Sequence, residues 1–345
     1  MRTGSRRPIR VMQSFGPPRP TSNPYVHMLD AALAATPGVE HLRFDRRRAL
    51  LGRYDAIQFH WPDTLFGGSS PVRVAARRIF AEALRIRLAL SRIAVLRTVH
   101  NLEPHASSTP WERRYLAWLE RRTDHRILLH ELTGIPADVP STLIRHGHYR
   151  DWFAAMPAAE PSRNLLGFVG LVRPYKGVEE LLDAFGTTAS RHPELRLRIA
   201  GNPSSEQVAR EVRRRAALDA RVSLDLRYLS EEEFVDAVTQ VSGLVLPYRF
   251  MLNSGTVLAA LSLQRPVLVP RTEINEALAR EVGPDWITMF DGALTGEHVA
   301  HFAASLDAPR TAAPDLSLRD WDRAGPLHRT AFSQAVAHRD ARRRP

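Results

Sequence analysis

At 345 residues, 44% hydrophobic and 25% charged, the chain has an ordinary globular balance and is long enough to divide its interior between two domains. The lack of cysteine excludes disulfides and thiolate chemistry, while a formal charge of +11 points toward anionic partners: nucleic acid, anionic lipid or phosphorylated substrates. No apolar run approaches the roughly 18 residues of a membrane span, and the first ten residues lack a signal peptide's apolar stretch, so a cytoplasmic location is expected.

In chain order, IRVMQS (9–14), DAIQFHW (55–61), IAVLRTVHN (93–101), HRILLH (125–130) and STLIRH (141–146) have the character of short buried strands. YVHMLDAALAA and PVRVAARRIFAEALRIRLALS carry helical spacing between them. This βαβ rhythm implies a parallel sheet covered on both faces. Past Trp152, the Pro/Ala-rich AAMPAAEPSRN suits a linker. The rhythm then restarts with LLGFVGLV (165–172), LRLRIAG (195–201), VSLDLRYL, GLVLPY (243–248), RPVLVP (265–270) and WITMF, separated by amphipathic stretches. The expected fold class is therefore α/β, with two Rossmann-like doubly wound domains. A helical tail runs from Ser317 to His338 and ends in ARRRP. The basic excess belongs to one half: residues 1–160 hold 24 Arg against 14 acids, and 161–345 hold 24 Lys+Arg against 23.

Ligands of open α/β sheets bind beyond the carboxyl ends of strands, where helix N-termini and loop amides collect. In GLVRPYKG (170–177), Gly170 and Gly177 permit close backbone approach. Arg173 and Lys176, the latter the sole lysine of the chain, stand three residues apart and can converge on a diphosphate. Taken alone, the loop could equally be a turn displaying two solvated cations. Further on, LPYRFMLNSGTVLAALSL places Ser254, Gly255 and Thr256 at a helix start after a strand, which makes either a second anion cradle or an ordinary Ser/Thr cap.

Together these segments resemble the nucleotide-sugar half of GT-B glycosyltransferases, and TVHN (98–101), IRHGHY (144–149) and the terminal helix are similar to the same family's acceptor half. The resemblance implies two Rossmann-like domains facing a central cleft: residues 1–152 binding acceptor, a linker over 153–163, residues 164–315 binding the nucleotide sugar, and 316–345 crossing back toward the first domain. It implies that Arg173 and Lys176 hold the donor diphosphate and that Lys176 stabilises the leaving group. Gly170, Gly201, Tyr248, Asn253, Ser254, Gly255 and Thr256 would complete the donor site, and His100 would stand beside the transferred sugar. Many relatives carry two glutamates around this last helix, where Met251 and Ala259 stand here; neither can replace a carboxylate. The pattern PY…NSGT…AL is closer to bacterial polysaccharide-assembly transferases, some of them β-mannosyltransferases using GDP-mannose.

An inverting transfer needs a general base. Asp63 in FHWPD and Glu103 in HNLEPH follow first-domain strands and are the carboxylate candidates, beside His60, His100 and His105. The histidine spacings match no zinc pattern, so no metal and no cofactor beyond the nucleotide-sugar co-substrate is expected. The basic amphipathic segment Pro71 to Arg92 could lie on an anionic membrane surface, placing the protein on the inner face of the membrane beside a saccharide or polyprenyl-diphosphate-linked acceptor, or it could simply be a helix with a solvated basic face. Two alternatives stay open: a nucleotide-sugar epimerase of the same fold, and a nucleic-acid-binding protein. The second is disfavoured by 8% aromatics with no interleaving among the arginines.

Overall fold

The computed structural model describes residues 7–67, 70–100, 109–131, 138–248, 254–310 and 312–342. The chain divides into two compact units, Met1–Gly147 with Arg319–Pro345, and His148–Leu318.

The first unit runs β1 (Ile9–Gln13), α1 (Pro24–Ala34), β2 (Val39–Leu42), α2 (Arg46–Leu51), β3 (Ala56–Phe59), a 3₁₀ turn (Pro62–Leu65), α3 (Pro71–Leu90), β4 (Ala94–Val99), α4 (Pro110–Arg122), β5 (His125–Leu128) and β6 (Ser141–Leu143). Its six strands are parallel in the order β2-β1-β3-β4-β5-β6. Local chemistry sets the helix starts. Asn23, Ser70 and Thr109 each accept a backbone N–H of the following turn, and each precedes a proline whose missing N–H costs nothing there. Alternation along the strands gives the sheet two unlike faces. Met12, Ile57, Phe59 and Val95 are sealed against Leu84, Leu88 and Leu119 of α3 and α4, each contributing roughly 1.5–3 kcal/mol by burial. The opposite face carries Gln13, Gln58, His60 and Thr98, also buried.

The second unit runs α5 (Arg150–Phe153), β7 (Ser162–Val169), α6 (Val178–Gly186), β8 (Arg196–Ala200), α7 (Glu206–Ala216), β9 (Val222–Asp225), α8 (Glu231–Gln240), β10 (Val241–Val245), α9 (Gly255–Ser262), β11 (Val267–Pro270), α10 (Glu273–Val282), β12 (Ile287–Phe290) and α11 (Gly296–Ser305). Its parallel order is β12-β11-β10-β7-β8-β9. The last helix, α12 (Trp321–Ala341), belongs to the first unit and packs on α1 and on β4 and β5.

Strand order locates the functional edges. In the second unit the sheet grows outward in opposite directions from β7 and β10, so the loops after those two strands diverge and leave a crevice. In the first unit the same reversal falls between β1 and β3. Five elements lie outside the expected set: β2, α2, α4, α5 and α11. β2 is a four-residue edge strand with one buried position, α2 is only six residues and α5 only four, while α4 and α11 have readable start signals in the capping boxes at Thr109…Glu112 and Thr295…His298.

Candidate functional site

At the second unit's switch point, GLVRPYKG follows β7 and the Ser-Gly-Thr segment opens α9. Gly170 has φ 128°, and a Cβ there would sit 3.3 Å from Thr256 Oγ1 and 3.8 Å from Lys176 Nζ. Strand end, ammonium and helix start therefore converge on one spot. Gly201, φ 137°, closes the floor, because a Cβ there would overlap the Gly170 carbonyl. Beyond the strands, Val172 N–H donates to Asn202 O (3.0 Å) and Ser204 N–H to Val172 O (2.9 Å), which zips the loop to its neighbour after β8. A 3₁₀ turn, Pro174–Lys176, and left-handed Gly177 (φ 68°), which fits under Pro247, then fold Lys176 inward.

Lys176 is 9% exposed. Its Nζ lies 4.8 Å from the centroid of the Tyr248 ring and donates to Tyr248 Oη at 3.4 Å. Burial, with the nearby Arg173 charge second, pushes its pKa down to about 8. Among the described residues no carboxylate offsets that charge. Tyr248 is itself 4% exposed; burial raises its pKa, against hydrogen bonds with Thr256 and Ser254. Arg173 stays on the exposed side of the loop, so the expected cation pair consists of a buried ammonium and an accessible guanidinium. At the start of α9, Ser254 Oγ accepts from Val257 N (3.2 Å) and so caps the helix, leaving the amides of Gly255 and Thr256 at its positive end. Gly255 faces Tyr149, whose Oη would lie 3.3 Å from a Cβ there, and Tyr149 N–H is fixed by Ser262 Oγ at 2.9 Å. Asn253, and Met251 beside it, lie outside the described residues; Ala259 is buried within α9.

At the first unit's carboxyl edge, five distant segments meet in an aromatic cluster. Trp61 stacks on His100 (centroids 4.4 Å, 23°), Tyr25 lies against His146 (4.4 Å), and Trp321 of α12 lies 5.7 Å from Tyr25. His60 is 2% exposed; its Nε2–H donates to Gln13 Oε1 at 2.9 Å, and its backbone N–H to Ser14 Oγ. Burial dominates the proton affinities: His100 is pushed down to about 3, with His146 adding to the effect, and His146 to about 4. These rings stay neutral through the physiological range. Asp63 is half-buried on the 3₁₀ turn after β3 and close enough to Arg97 for its charge to favour that guanidinium. Glu103 and His105 lie outside the described residues. Among the described residues, no group of three or more His, Asp or Glu could hold a metal ion. Sequence reading did not single out Gln13, Tyr25, Trp61 or Trp321.

Comparison with known proteins shows the family of the chain and its fold. The family model described as "Glycosyl transferases group 1" matches residues 163–306, which span the Lys176 loop and α9. A GDP-mannose:glycolipid 4-beta-D-mannosyltransferase of Xanthomonas campestris pv. campestris is 41% identical over 332 residues, 95% of this chain and 93% of its own. A lipopolysaccharide core biosynthesis mannosyltransferase of Rhizobium leguminosarum bv. viciae is 33% identical over 103 residues, 28% of this chain and 29% of its own. Among solved structures, an alpha,alpha-trehalose-phosphate synthase (UDP-forming) from Burkholderia xenovorans superposes with a TM-score of 0.59 at 11% identity, covering 96% of this chain and 98% of that one. Sucrose-phosphate synthase from Thermosynechococcus elongatus gives 0.57 at 15% identity, covering 98% of each chain. These two share the fold.

Proposed function

The chain belongs to the group 1 glycosyltransferases, with the two α/β units of the GT-B fold, and from that premise we propose that it moves mannose from GDP-mannose to a lipid-linked saccharide, forming a β-linkage. The observation that carries the donor half is the buried Lys176 ammonium. A cation held at about 8 by burial, with no described carboxylate beside it, is a site waiting for an anion. The donor diphosphate fits that need, with Gly170 opening space for it and the Gly255 and Thr256 amides sharing its charge. Arg173 closes over the phosphates from the accessible side. As the bond from anomeric carbon to phosphate oxygen breaks, charge accumulates on the leaving diphosphate, so Lys176 interacts more strongly with the transition state than with the bound donor.

The acceptor half is assigned to the first unit. Displacement of an α-linked nucleotide with β-product requires the acceptor hydroxyl to attack from the opposite face and lose its proton to a base. A ring titrating near 3 is a poor proton acceptor at neutral pH, so His100 is assigned to hydrogen-bond the transferred sugar. The base is a carboxylate: Asp63, or Glu103. A glycolipid acceptor also calls for contact with a membrane surface, assigned to Pro71–Leu90; no helix among the described residues is long and apolar enough to cross one. Neither the epimerase nor the nucleic-acid alternative finds support among the relatives.

The direct test is transfer from radiolabelled GDP-mannose to a polyprenyl-diphosphate saccharide, with Lys176→Ala and Arg173→Ala alongside. Labelled glycolipid with the natural chain, and strong loss in both variants, is expected. Turnover near normal in both would remove the diphosphate assignment.

A further inference from the structure

The second unit's sheet has another opening at its amino edge, the end away from the Lys176 cradle. Between the starts of β7 and β10, the turn before β11 and the end of α11 lies a cavity of about 300 Å³. Its wall holds two residues in an uncommon backbone conformation. Asn164 has φ 60° inside β7, at a bulge where β7 advances from Ser162 to Leu166 while β10 advances only from Val241 to Gly243. Gln264 has φ 55° just past α9, in a loop closed by Gln264 N–H to Leu261 O (3.0 Å) and Arg265 N–H to Ala260 O (2.8 Å). Glycine adopts both conformations at least cost, yet each position places an amide side chain on the same cavity wall.

The charge of the wall is one-sided. Arg265 and Arg310 make no ion pair among the described residues; burial lowers the pKa of both guanidiniums, and Glu160 and Asp285 oppose that only at a distance. The wall's carboxylate, Asp307, is committed to Arg163 at 3.3 Å. Helix carboxyl ends gather at this edge and would repel an anion, but Arg265 covers them by donating to Thr239 O (2.7 Å), Leu263 O (3.4 Å) and Gln264 O (3.1 Å). Arg310 is placed differently. Its Nε–H donates to Asp285 O at 3.0 Å and its guanidinium lies 5.4 Å from the Trp286 ring centroid, which holds the side chain in place and leaves both terminal nitrogens without a partner among the described residues.

The chemistry of the wall selects a ligand. A guanidinium with two open nitrogens suits a phosphoryl group. The Asn164 and Gln264 amides both donate and accept, as sugar hydroxyls require, and Leu166, Pro266 and Leu306 offer apolar surface to the C–H face of a pyranose. None of the described residues lining the cavity is aromatic, so a nucleotide base would find no ring to stack on. At about 300 Å³ the space is at the small end of ligand sites and larger than a bare phosphate fills. We propose that the second unit binds a small phosphorylated hexose here, with its phosphoryl group on Arg310 and its hydroxyls on Asn164 and Gln264. This site is separate from the Lys176 cradle and does not depend on the donor assigned to it.

The experiment is titration calorimetry of the full chain with mannose 6-phosphate and glucose 1-phosphate, against mannose and inorganic phosphate as controls. At least one hexose phosphate should bind, in Lys176→Ala as well as in the natural chain, with mannose and inorganic phosphate about tenfold or more weaker. Arg310→Gln should weaken that binding about tenfold or more. Gln264→Gly should weaken it too while raising the thermal midpoint of the ligand-free chain, because glycine takes φ 55° without strain. Failure of both hexose phosphates to bind, or binding that Arg310→Gln leaves intact, overturns the proposal. So does binding lost in Lys176→Ala, which would put the probe in the donor cradle, and so does inorganic phosphate binding as tightly as the sugars, which would leave an anion site alone. Any of these results leaves the proposed mannosyl transfer standing, since neither Arg310 nor Gln264 belongs to the donor cradle.

Discussion

Replacing Lys176 by methionine should make the donor-free protein more stable while removing its response to the donor. The folded chain holds this ammonium at about 8, against 10.5 for the exposed group. At one pKa unit per 1.36 kcal/mol, the charged form costs the fold about 3 kcal/mol. The sign follows from proton counts. Between about 8 and 10.5 the unfolded chain binds the proton that the folded chain has released, so stability rises with pH across that window and the full cost is present below it. Methionine keeps the aliphatic stem and loses the cation over Tyr248, worth roughly 0.5–2 kcal/mol. A net gain of about 1–2 kcal/mol, at roughly 2–4 °C per kcal/mol, raises the midpoint by about 2–8 °C at neutral pH. The assay is thermal unfolding at pH 7 and at pH 10.5, with and without GDP-mannose. At the higher pH the gap between the two proteins should narrow, and at pH 7 only the natural chain should be stabilised by donor. A variant that is less stable at neutral pH, or that still responds fully to GDP-mannose, would refute the reasoning.

Lys176→Ala should lower kcat by about 10²–10³ with a smaller change in KM, and Arg173→Ala should raise KM more than it lowers kcat, because the proposed donor pose sets only the buried cation beside the breaking bond; steady-state kinetics separate the two. Gly170→Ala introduces a side chain at φ 128° and 3.3 Å from Thr256 Oγ1, so it should cost about 1–3 kcal/mol in unfolding experiments and weaken donor binding by calorimetry. His100→Ala should reduce transfer about tenfold or more without changing the shape of the pH–rate profile between 5 and 9, since the ring titrates near 3; loss of an inflection near 6.5 on substitution would show that the ring titrates in the working range.

Much of the architecture was legible because parallel strands buried on both faces are short apolar runs, and LLGFVGLV, LRLRIAG and RPVLVP stand out as such. β2, half-exposed at a sheet edge, has no such run, and in α4 six Arg and Glu residues interrupt the apolar side formed by Trp111, Tyr115, Trp118 and Leu119. The GLVRPYKG loop was readable because glycines and cations in sequence already state a chemical need. Its inequality was not: Lys176 turns inward and Arg173 outward through the 3₁₀ turn and left-handed Gly177, which depends on fit beneath Pro247. The Tyr25, Trp61, His146 and Trp321 cluster lay beyond sequence reading because its members come from separate segments that only the folded sheet and α12 bring together.

A single lysine allows one resonance to report on the proposed donor site. With lysine labelled at ¹³Cε, the pH titration of the Lys176 signal should give a midpoint near 8 in the free protein, moving upward by about one unit or more when GDP or GDP-mannose supplies the missing negative charge. A midpoint near the ordinary 10.5 in the free protein, or one that nucleotide leaves unmoved, would contradict the account.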